Sequence, residues 1–90
     1  IYFEDAVPGD AHYEALQFFA LRGFLRDSWQ AGLDRVVDEK TAGDWIAWAG
    51  MGRPDGFVAG TTKRGELLEM LYSKISRLPV DRIAKMAVRW

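Results

Sequence analysis

The chain has 90 residues, of which 49% are hydrophobic and 28% are charged, and its formal net charge is −1. The near-neutral charge argues against a dedicated nucleic-acid-binding protein, which usually carries a basic excess. The absence of cysteine excludes disulfides and cysteine-based metal sites, and no apolar run approaches the ~18 residues of a membrane span. We expect one small domain over residues 1–90, as a part of a longer protein.

The first predicted helix covers the segment HYEALQFFALRGFL, which follows an extended start and a Pro8-Gly9 turn. Asp10 is placed to cap this helix, and Gly23 is placed to end it. The apolar residues cover most of its circumference, which predicts that it packs on several sides.

The second predicted helix covers VVDEKTAGDWIAWAGM, after a loop over residues 26–35. Asp38 is its expected cap. Its inward face follows the spacing i, i+3, i+4, i+7 and consists of Ala42, Trp45, Ile46 and Ala49. Gly43 inside this helix costs about 1 kcal/mol relative to alanine, so we expect close packing at that position.

The third predicted helix begins near Thr62, after a segment rich in glycine, and runs to about Ser76. Its inward residues are Leu68, Leu71, Tyr72 and Ile75. Pro79 suits the first position of a fourth helix, whose apolar stripe consists of Val80, Ile83, Ala84 and Ala87. Because no period-2 run of strand length appears, the predicted fold is an all-α bundle of about four helices.

The segment YFEDAVPGDAHYEALQFFALRGFL resembles the opening of an S-layer homology (SLH) repeat. Such repeats typically begin F-x-D-V, followed by a polar turn and a helix of the type W-A-Y-E-A-I-x-x-L-A-x-x-G-I. Phe3 and Asp5 match the first pair, whereas Ala11 replaces the typical tryptophan. The helix is matched by Tyr13, Glu14, Ala15, Leu16, Ala20, Gly23 and Phe24.

The second helix of an SLH repeat usually starts I-T-R-A-E-F, and residues Thr62–Glu66 fall on its first five positions. Residues Val37–Thr41 fall on the same positions in an earlier copy, in which the arginine is missing. The resemblance divides the chain into a degenerate repeat over residues 1–52 and a second half-repeat with a C-terminal helix over residues 53–90. It implies a non-catalytic attachment module at a bacterial cell surface, which binds an anionic cell-wall polysaccharide or a partner domain.

A narrower resemblance suggests an alternative function. The phrases ALRGF and RGELLEMLY are similar to degenerate repeats at the C-terminal end of some bacterial FAD-dependent oxidoreductases. That resemblance implies a structural appendage, with the flavin chemistry in an upstream domain. The segment GMGRPDG follows a helix and lacks G-x-G-x-x-G spacing, so we expect no flavin or other cofactor in these 90 residues.

Arg64 is the main candidate for ligand binding. The resemblance implies that it belongs to the pocket for an anionic polymer, together with its neighbours Lys63 and Gly65. Physically, a helix start offers unpaired N–H groups, a guanidinium holds a carboxylate or phosphate by two bonds, and glycine would let a sugar approach the backbone. In the alternative interpretation Arg64 pairs with a nearby acid such as Glu66 or Glu69 or is solvated. Glu66 itself is expected to cap the helix and not to act as a catalytic acid.

Two tryptophans are further candidates for ligand binding, as surfaces on which sugar rings stack. They are Trp29, which lies in the polar loop, and Trp48, which lies off the apolar stripe; Trp45 lies on that stripe and is expected in the core. His12 fits no metal or catalytic pattern and is expected to be structural or at the surface. A basic strip on the predicted fourth helix is either a solvated face or a contact for an acidic partner; it consists of Arg82, Lys85 and Arg89.

Overall fold

The structure, a computed structural model, describes residues 1–25, 28–78, 81 and 83. They form three helices, which we number α1 (Tyr13–Ala20), α2 (Glu39–Trp48) and α3 (Arg64–Ile75). Elsewhere in these ranges the backbone forms turns and loops with two isolated β-bridges, and it contains no β-strand. The prediction of a small and mostly helical domain is therefore confirmed.

The start of α1 differs from the prediction. The residue before the helix, His12, has a left-handed backbone with φ of 69°, and no side chain caps the helix. Asp10 is not the cap, because its carboxylate accepts a hydrogen bond from the Val7 N–H at 2.9 Å. Asp10 thus stabilises the preceding Pro8-Gly9 turn, and only its backbone carbonyl bonds to the first helical residue, Tyr13.

The end of α1 lies near Gly23, as predicted, although the regular helix ends at Ala20. Gly23 has a positive φ of 86°, and its N–H donates to the Ala20 carbonyl at 3.0 Å. The Phe24 N–H donates to the Phe19 carbonyl at 3.2 Å, which completes a Schellman motif. The two phenylalanine rings lie 4.7 Å apart, so the turn also closes an apolar contact.

Helix α2 is capped by Asp38, as predicted. The Asp38 carboxylate accepts hydrogen bonds from the N–H of Thr41 at 2.7 Å and from its hydroxyl at 3.0 Å. The expectation of close packing at Gly43 is wrong, because this residue is exposed and a Cβ atom there would meet no other atom within 4 Å. Trp45 is buried in the core, as predicted.

The core lies mainly between α1 and α3, which pack against each other. Leucine and aromatic side chains fill this interface because both helices carry apolar residues at helical spacing. The largest fully buried side chains are Phe19, Leu16, Leu67, Leu68, Leu71 and Ile75.

The segments that lead into α2 and α3 are paired with each other. The Val37 N–H donates to the Thr62 carbonyl at 3.0 Å, and the Arg64 N–H donates to the Arg35 carbonyl at 2.8 Å. The two segments that precede α2 and α3 therefore lie side by side. This pairing fixes where α3, and with it the Arg64 side chain, begins.

Asp5 holds the loop that precedes α2. Its two carboxylate oxygens accept hydrogen bonds from the N–H groups of Ala31 and Gly32 at 2.8 and 2.9 Å. Burial alone would raise the pKa of Asp5, but these hydrogen bonds and the positive charge of Arg35 together outweigh it, and the pKa lies below its ordinary value. The N-terminal segment thereby orients residues 31–35, which lie against the start of α3.

The predicted fourth helix lies almost entirely outside the described residues. Pro79, Val80, Ala84, Ala87 and the basic strip are not described, whereas Ile83 is partly buried against the core. Within the described ranges, none of the helices has the length and apolar character needed to cross a membrane.

Candidate functional site

Arg64, the first residue of α3, is half-buried. Its Nε donates a hydrogen bond to the carbonyl of Ala31 at 2.9 Å. The guanidinium carbon lies 4.9 Å from the centre of the Trp45 ring, which is a cation–π contact. The loop carbonyl and the core tryptophan therefore fix the guanidinium in place.

The charge of Arg64 has no close carboxylate to neutralise it in the part of the chain that the structure describes. Among the described residues none lies within ion-pairing distance of it. The alternative pairing with Glu66 or Glu69 is wrong, because Glu66 accepts from the Lys63 N–H at 2.8 Å and Glu69 lies 3.1 Å from His12 Nδ1. The expected role of Glu66 at the helix start is confirmed.

The electrostatic surroundings of Arg64 are unfavourable overall for its charge. Burial lowers the pKa of Arg64, and the nearby positive charge of Arg35 lowers it further. Asp38 and Asp5 act in the opposite direction, but they do not cancel the decrease. A partly desolvated cation with incomplete compensation is a feature of many ligand-binding sites.

The Arg64 side chain lines a cleft of about 230 Å³ between α2, α3 and the loop after α1. The cleft combines aromatic walls with hydroxyl, carboxylate and guanidinium groups. It is lined by Phe24, Leu25, Ser28, Thr41, Asp44, Trp45, Trp48 and Arg64.

The structure brings together only two of the five predicted ligand-binding residues, Arg64 and Trp48. The Trp48 ring is half-buried and meets the edge of Phe24 with ring centres 5.5 Å apart, in a T-shaped arrangement. Trp29 does not line this cleft. It is 69% exposed and lies against Tyr2, with ring centres 6.4 Å apart.

Lys63 and Gly65 were predicted to bind the ligand together with Arg64, but neither of them lines the cleft. Lys63 is exposed and does not line the cleft. Gly65 is buried, and a Cβ atom there would lie 3.0 Å from His12 Cδ2 and 3.2 Å from both Leu33 Cβ and the Leu33 carbonyl oxygen. The glycine therefore permits close packing of the chain on itself and does not open the backbone to a sugar.

The free N–H groups expected at the start of α3 are partly used within the fold. The Arg64 N–H donates to Arg35 as described above, and the Gly65 N–H donates to the Leu33 carbonyl at 2.9 Å. These two N–H groups are therefore not available to an anion. Two cationic groups of that prediction could still hold an anion, the guanidinium of Arg64 and the ammonium of Lys63, and of these the guanidinium lines the cleft.

His12 is half-buried and interacts with Glu69 of α3, in agreement with a structural role. It also borders a second, larger cavity of about 670 Å³ with Asp10, Asp34 and Arg35 among its lining residues. In the described ranges no group of three or more histidine or acidic side chains is arranged to hold a metal ion.

Sequence reasoning missed Asp44, Thr41 and Ser28, which supply polar groups to the cleft. A signal was present for two of them. Thr41, Asp44 and Trp48 are separated by three and four positions, so they share a face of α2 next to its apolar stripe. Ser28 had no comparable signal, because its position depends on the course of a loop.

Comparison of the chain with family models, curated proteins and solved structures gives no significant match.

Proposed function

We propose that this domain is a non-catalytic attachment module whose cleft binds an anionic group of a cell-envelope polysaccharide at Arg64. One observation carries this proposal. The guanidinium is half-buried, held by Ala31 and Trp45, and without a carboxylate in ion-pairing distance among the described residues. Partial burial of an unpaired charge costs free energy, and an anionic ligand would recover it.

The geometry of the guanidinium supports an acidic ligand group. Within the described residues, only the Nε of Arg64 donates a side-chain hydrogen bond, which leaves its two Nη groups without a partner there. Such a pair of donors suits the two oxygens of a carboxylate or phosphate. The rings of Phe24 and Trp48 provide apolar walls for the C–H groups of a sugar.

The resemblance to SLH repeats supports the same residue, since Arg64 falls on the arginine of that motif. The earlier copy has Glu39 at the corresponding position and lacks the guanidinium. We therefore propose one such site in these 90 residues, and a location at a bacterial cell surface. The missing tryptophan at Ala11 and the buried position of Gly65 are departures from the expected pattern.

The proposal is tested by titration calorimetry of a pyruvylated or phosphorylated wall polymer against wild type and Arg64→Gln. Glutamine keeps an N–H donor for the Ala31 carbonyl but removes the charge, whereas alanine would also remove packing on Trp45. Loss of a charge-assisted contact worth about 1.5–3 kcal/mol should weaken binding about 10- to 150-fold. Arg64→Lys should also bind more weakly, because an ammonium cannot form two parallel bonds.

Arg53→Gln is the matched control. Arg53 is an exposed arginine with a similar cation–π contact, 4.5 Å from the centre of the Phe57 ring, and it does not line the cleft. Equal losses of affinity in the Arg53 and Arg64 variants would indicate unspecific attraction and contradict the proposal. The absence of any binding by folded wild type would contradict it as well.

A second candidate is docking onto a partner domain, including the role of a structural appendage of an FAD-dependent oxidoreductase. The observation that favours it is a set of exposed apolar side chains near the N-terminus, with Tyr2 at 68% and Trp29 at 69% exposure. A dinucleotide-binding fingerprint upstream in a longer parent protein would favour this candidate. In that protein Trp29→Ser, and not Arg64→Gln, should lower the unfolding temperature of the flavin domain.

A further inference from the structure

Asp44 places a negative charge in the same cleft as Arg64. It lies on α2, and its side chain is 40% exposed. A cleft that only attracted anions would gain nothing from a carboxylate, because like charges repel. The presence of Asp44 therefore bears on which kind of anion the cleft accommodates.

The two oxygens of Asp44 have different surroundings. Oδ2 accepts a hydrogen bond from Lys40 Nζ at 2.9 Å, and this lysine is exposed at the surface. No hydrogen bond to Oδ1 occurs within the described residues. Lys40 offsets part of the negative charge of Asp44. The Oδ1 atom of Asp44 can therefore accept a hydrogen bond from a ligand, while the carboxylate repels an anion less than an unpaired one would.

The other polar groups of the cleft are largely engaged. The Thr41 hydroxyl donates to Asp38, and the Ser28 hydroxyl donates to the Gln30 carbonyl at 3.0 Å. The groups left for a ligand are thus a donor at Arg64 and an acceptor at Asp44. These two groups do not form an ion pair with each other.

We propose that the cleft recognises two groups of one ligand, an acidic group at Arg64 and a hydroxyl of the same acidic sugar at Asp44. This inference rests on the proposed function, since it takes Arg64 as the anion site, and it adds the chemical class of the ligand. The cleft volume of about 230 Å³ is below the ~300–1,000 Å³ typical of pockets for drug-sized ligands. One sugar residue with its acidic substituent therefore enters the cleft, and the rest of a polymer lies outside.

The test compares hexose 6-phosphate with hexyl phosphate, which carries the same acidic group and no hydroxyls on its chain. Both are titrated by NMR chemical-shift perturbation into wild type and Asp44→Asn. An amide oxygen is a weaker acceptor than a carboxylate, so Asp44→Asn should weaken binding of hexose 6-phosphate about three- to tenfold. The same variant should bind hexyl phosphate equally well or more tightly, because a repelling charge is gone.

Asp55→Asn is the matched control, since Asp55 is exposed in the loop before α3 and does not line the cleft. Asp55→Asn changes the net charge by the same amount as Asp44→Asn. The ratio of the affinities for hexose 6-phosphate and hexyl phosphate should stay as in wild type. Tighter binding of both ligands by Asp44→Asn would overturn the inference and leave Arg64 as an anion site. Failure of wild type to bind either phosphate would instead remove the proposed function together with the inference. A further comparison uses glucosamine 6-phosphate and glucose 6-phosphate. If wild type prefers glucosamine 6-phosphate and Asp44→Asn loses this preference, the group bound by Asp44 is an ammonium. That result would overturn the assignment of a hydroxyl to Asp44.

Discussion

Helices α2 and α3 both begin after a charged residue, Asp38 and Lys63, but they obtain their first hydrogen bonds from different places. At α2, the Asp38 carboxylate accepts from the Thr41 N–H, three residues further along the chain. At α3, the N–H groups of Arg64 and Gly65 donate to carbonyls of the loop over residues 33–35. The start of α2 is completed by its own Asp38 side chain, whereas the start of α3 combines the local cap by Glu66 with carbonyls of a segment remote in sequence.

The glycines of the two helices differ in the same way. Gly43 in α2 faces open space, whereas Gly65 in α3 lies against Leu33 and His12. The comparison indicates that α2 begins with a cap from its own residues, and that α3 needs the loop packed against it in addition to its own cap. Because Arg64 stands at that second start, the cleft depends on the same loop.

The largest effect is expected from Gly65→Leu. A side chain at this position would push against Leu33 and displace the carbonyl that accepts the Gly65 N–H. Overpacking of this kind should lower the free energy of unfolding by about 2–3 kcal/mol, as measured by urea denaturation. Gly43→Leu is the matched control and should not destabilise the domain; equal losses for both variants would show that the two helix starts do not differ.

A smaller loss is expected from Asp5→Ala. This change removes the acceptor that holds the N–H groups of Ala31 and Gly32, and with them the loop that lies against α3. Since the carboxylate is exposed and solvent screens it, we expect a loss of about 1 kcal/mol. Hydrogen exchange should quicken at the Arg64 and Gly65 amides and not at Thr41; unchanged exchange at all three would contradict this coupling.

Gly43→Ala should stabilise the domain by about 0.5–1 kcal/mol, because alanine has a higher helix propensity and the position is open. Thermal unfolding followed by circular dichroism measures the change. The corresponding Gly65→Ala variant gains the same propensity but must displace Leu33, so its unfolding temperature should not rise. A rise of the same size in both variants would contradict the close packing at Gly65.

The smallest effect is expected from Asp38→Asn, since asparagine is also a good cap. The hydrogen bonds from the Thr41 N–H and hydroxyl lower the pKa of Asp38 in the folded protein. The stability that this shift contributes is present above the unfolded pKa, about 3.9, and is lost as the pH falls through the lower folded value. The difference between wild type and Asp38→Asn in urea denaturation should therefore shrink below about pH 4; a constant difference between pH 7 and pH 2.5 would contradict a role for the charge.

The residues that surround Arg64 in the cleft lie outside the segment that carries its sequence motif. The motif at Thr62–Glu66 indicated Arg64, but the acceptor that holds its guanidinium is Ala31 and the ring beneath it is Trp45. The proposed second contact, Asp44, lies on a helix that the motif does not include. The sequence motif was enough to predict Arg64 as a candidate residue, but it did not predict the residues that lie around it.

The amino-acid sequence was sufficient to predict the features that depend on residues within about one helical turn. These are the mostly helical fold, the cap of α2 at Asp38, the role of Glu66 at the start of α3, and the end of α1 near Gly23. Each follows from side-chain spacing or backbone freedom within one segment.

The folded structure was needed to establish where the Arg64 side chain lies, why position 65 is a glycine, and which polar groups share the cleft. The structure also separates Trp29 from Trp48, although the sequence had indicated both as surfaces on which sugar rings could stack. The physical reason is that these features depend on contacts between segments far apart in the chain. Hydrophobic packing of α1 on α3 and the hydrogen bonds of the 31–35 loop bring those segments together, and no pattern within a single segment encodes their distance.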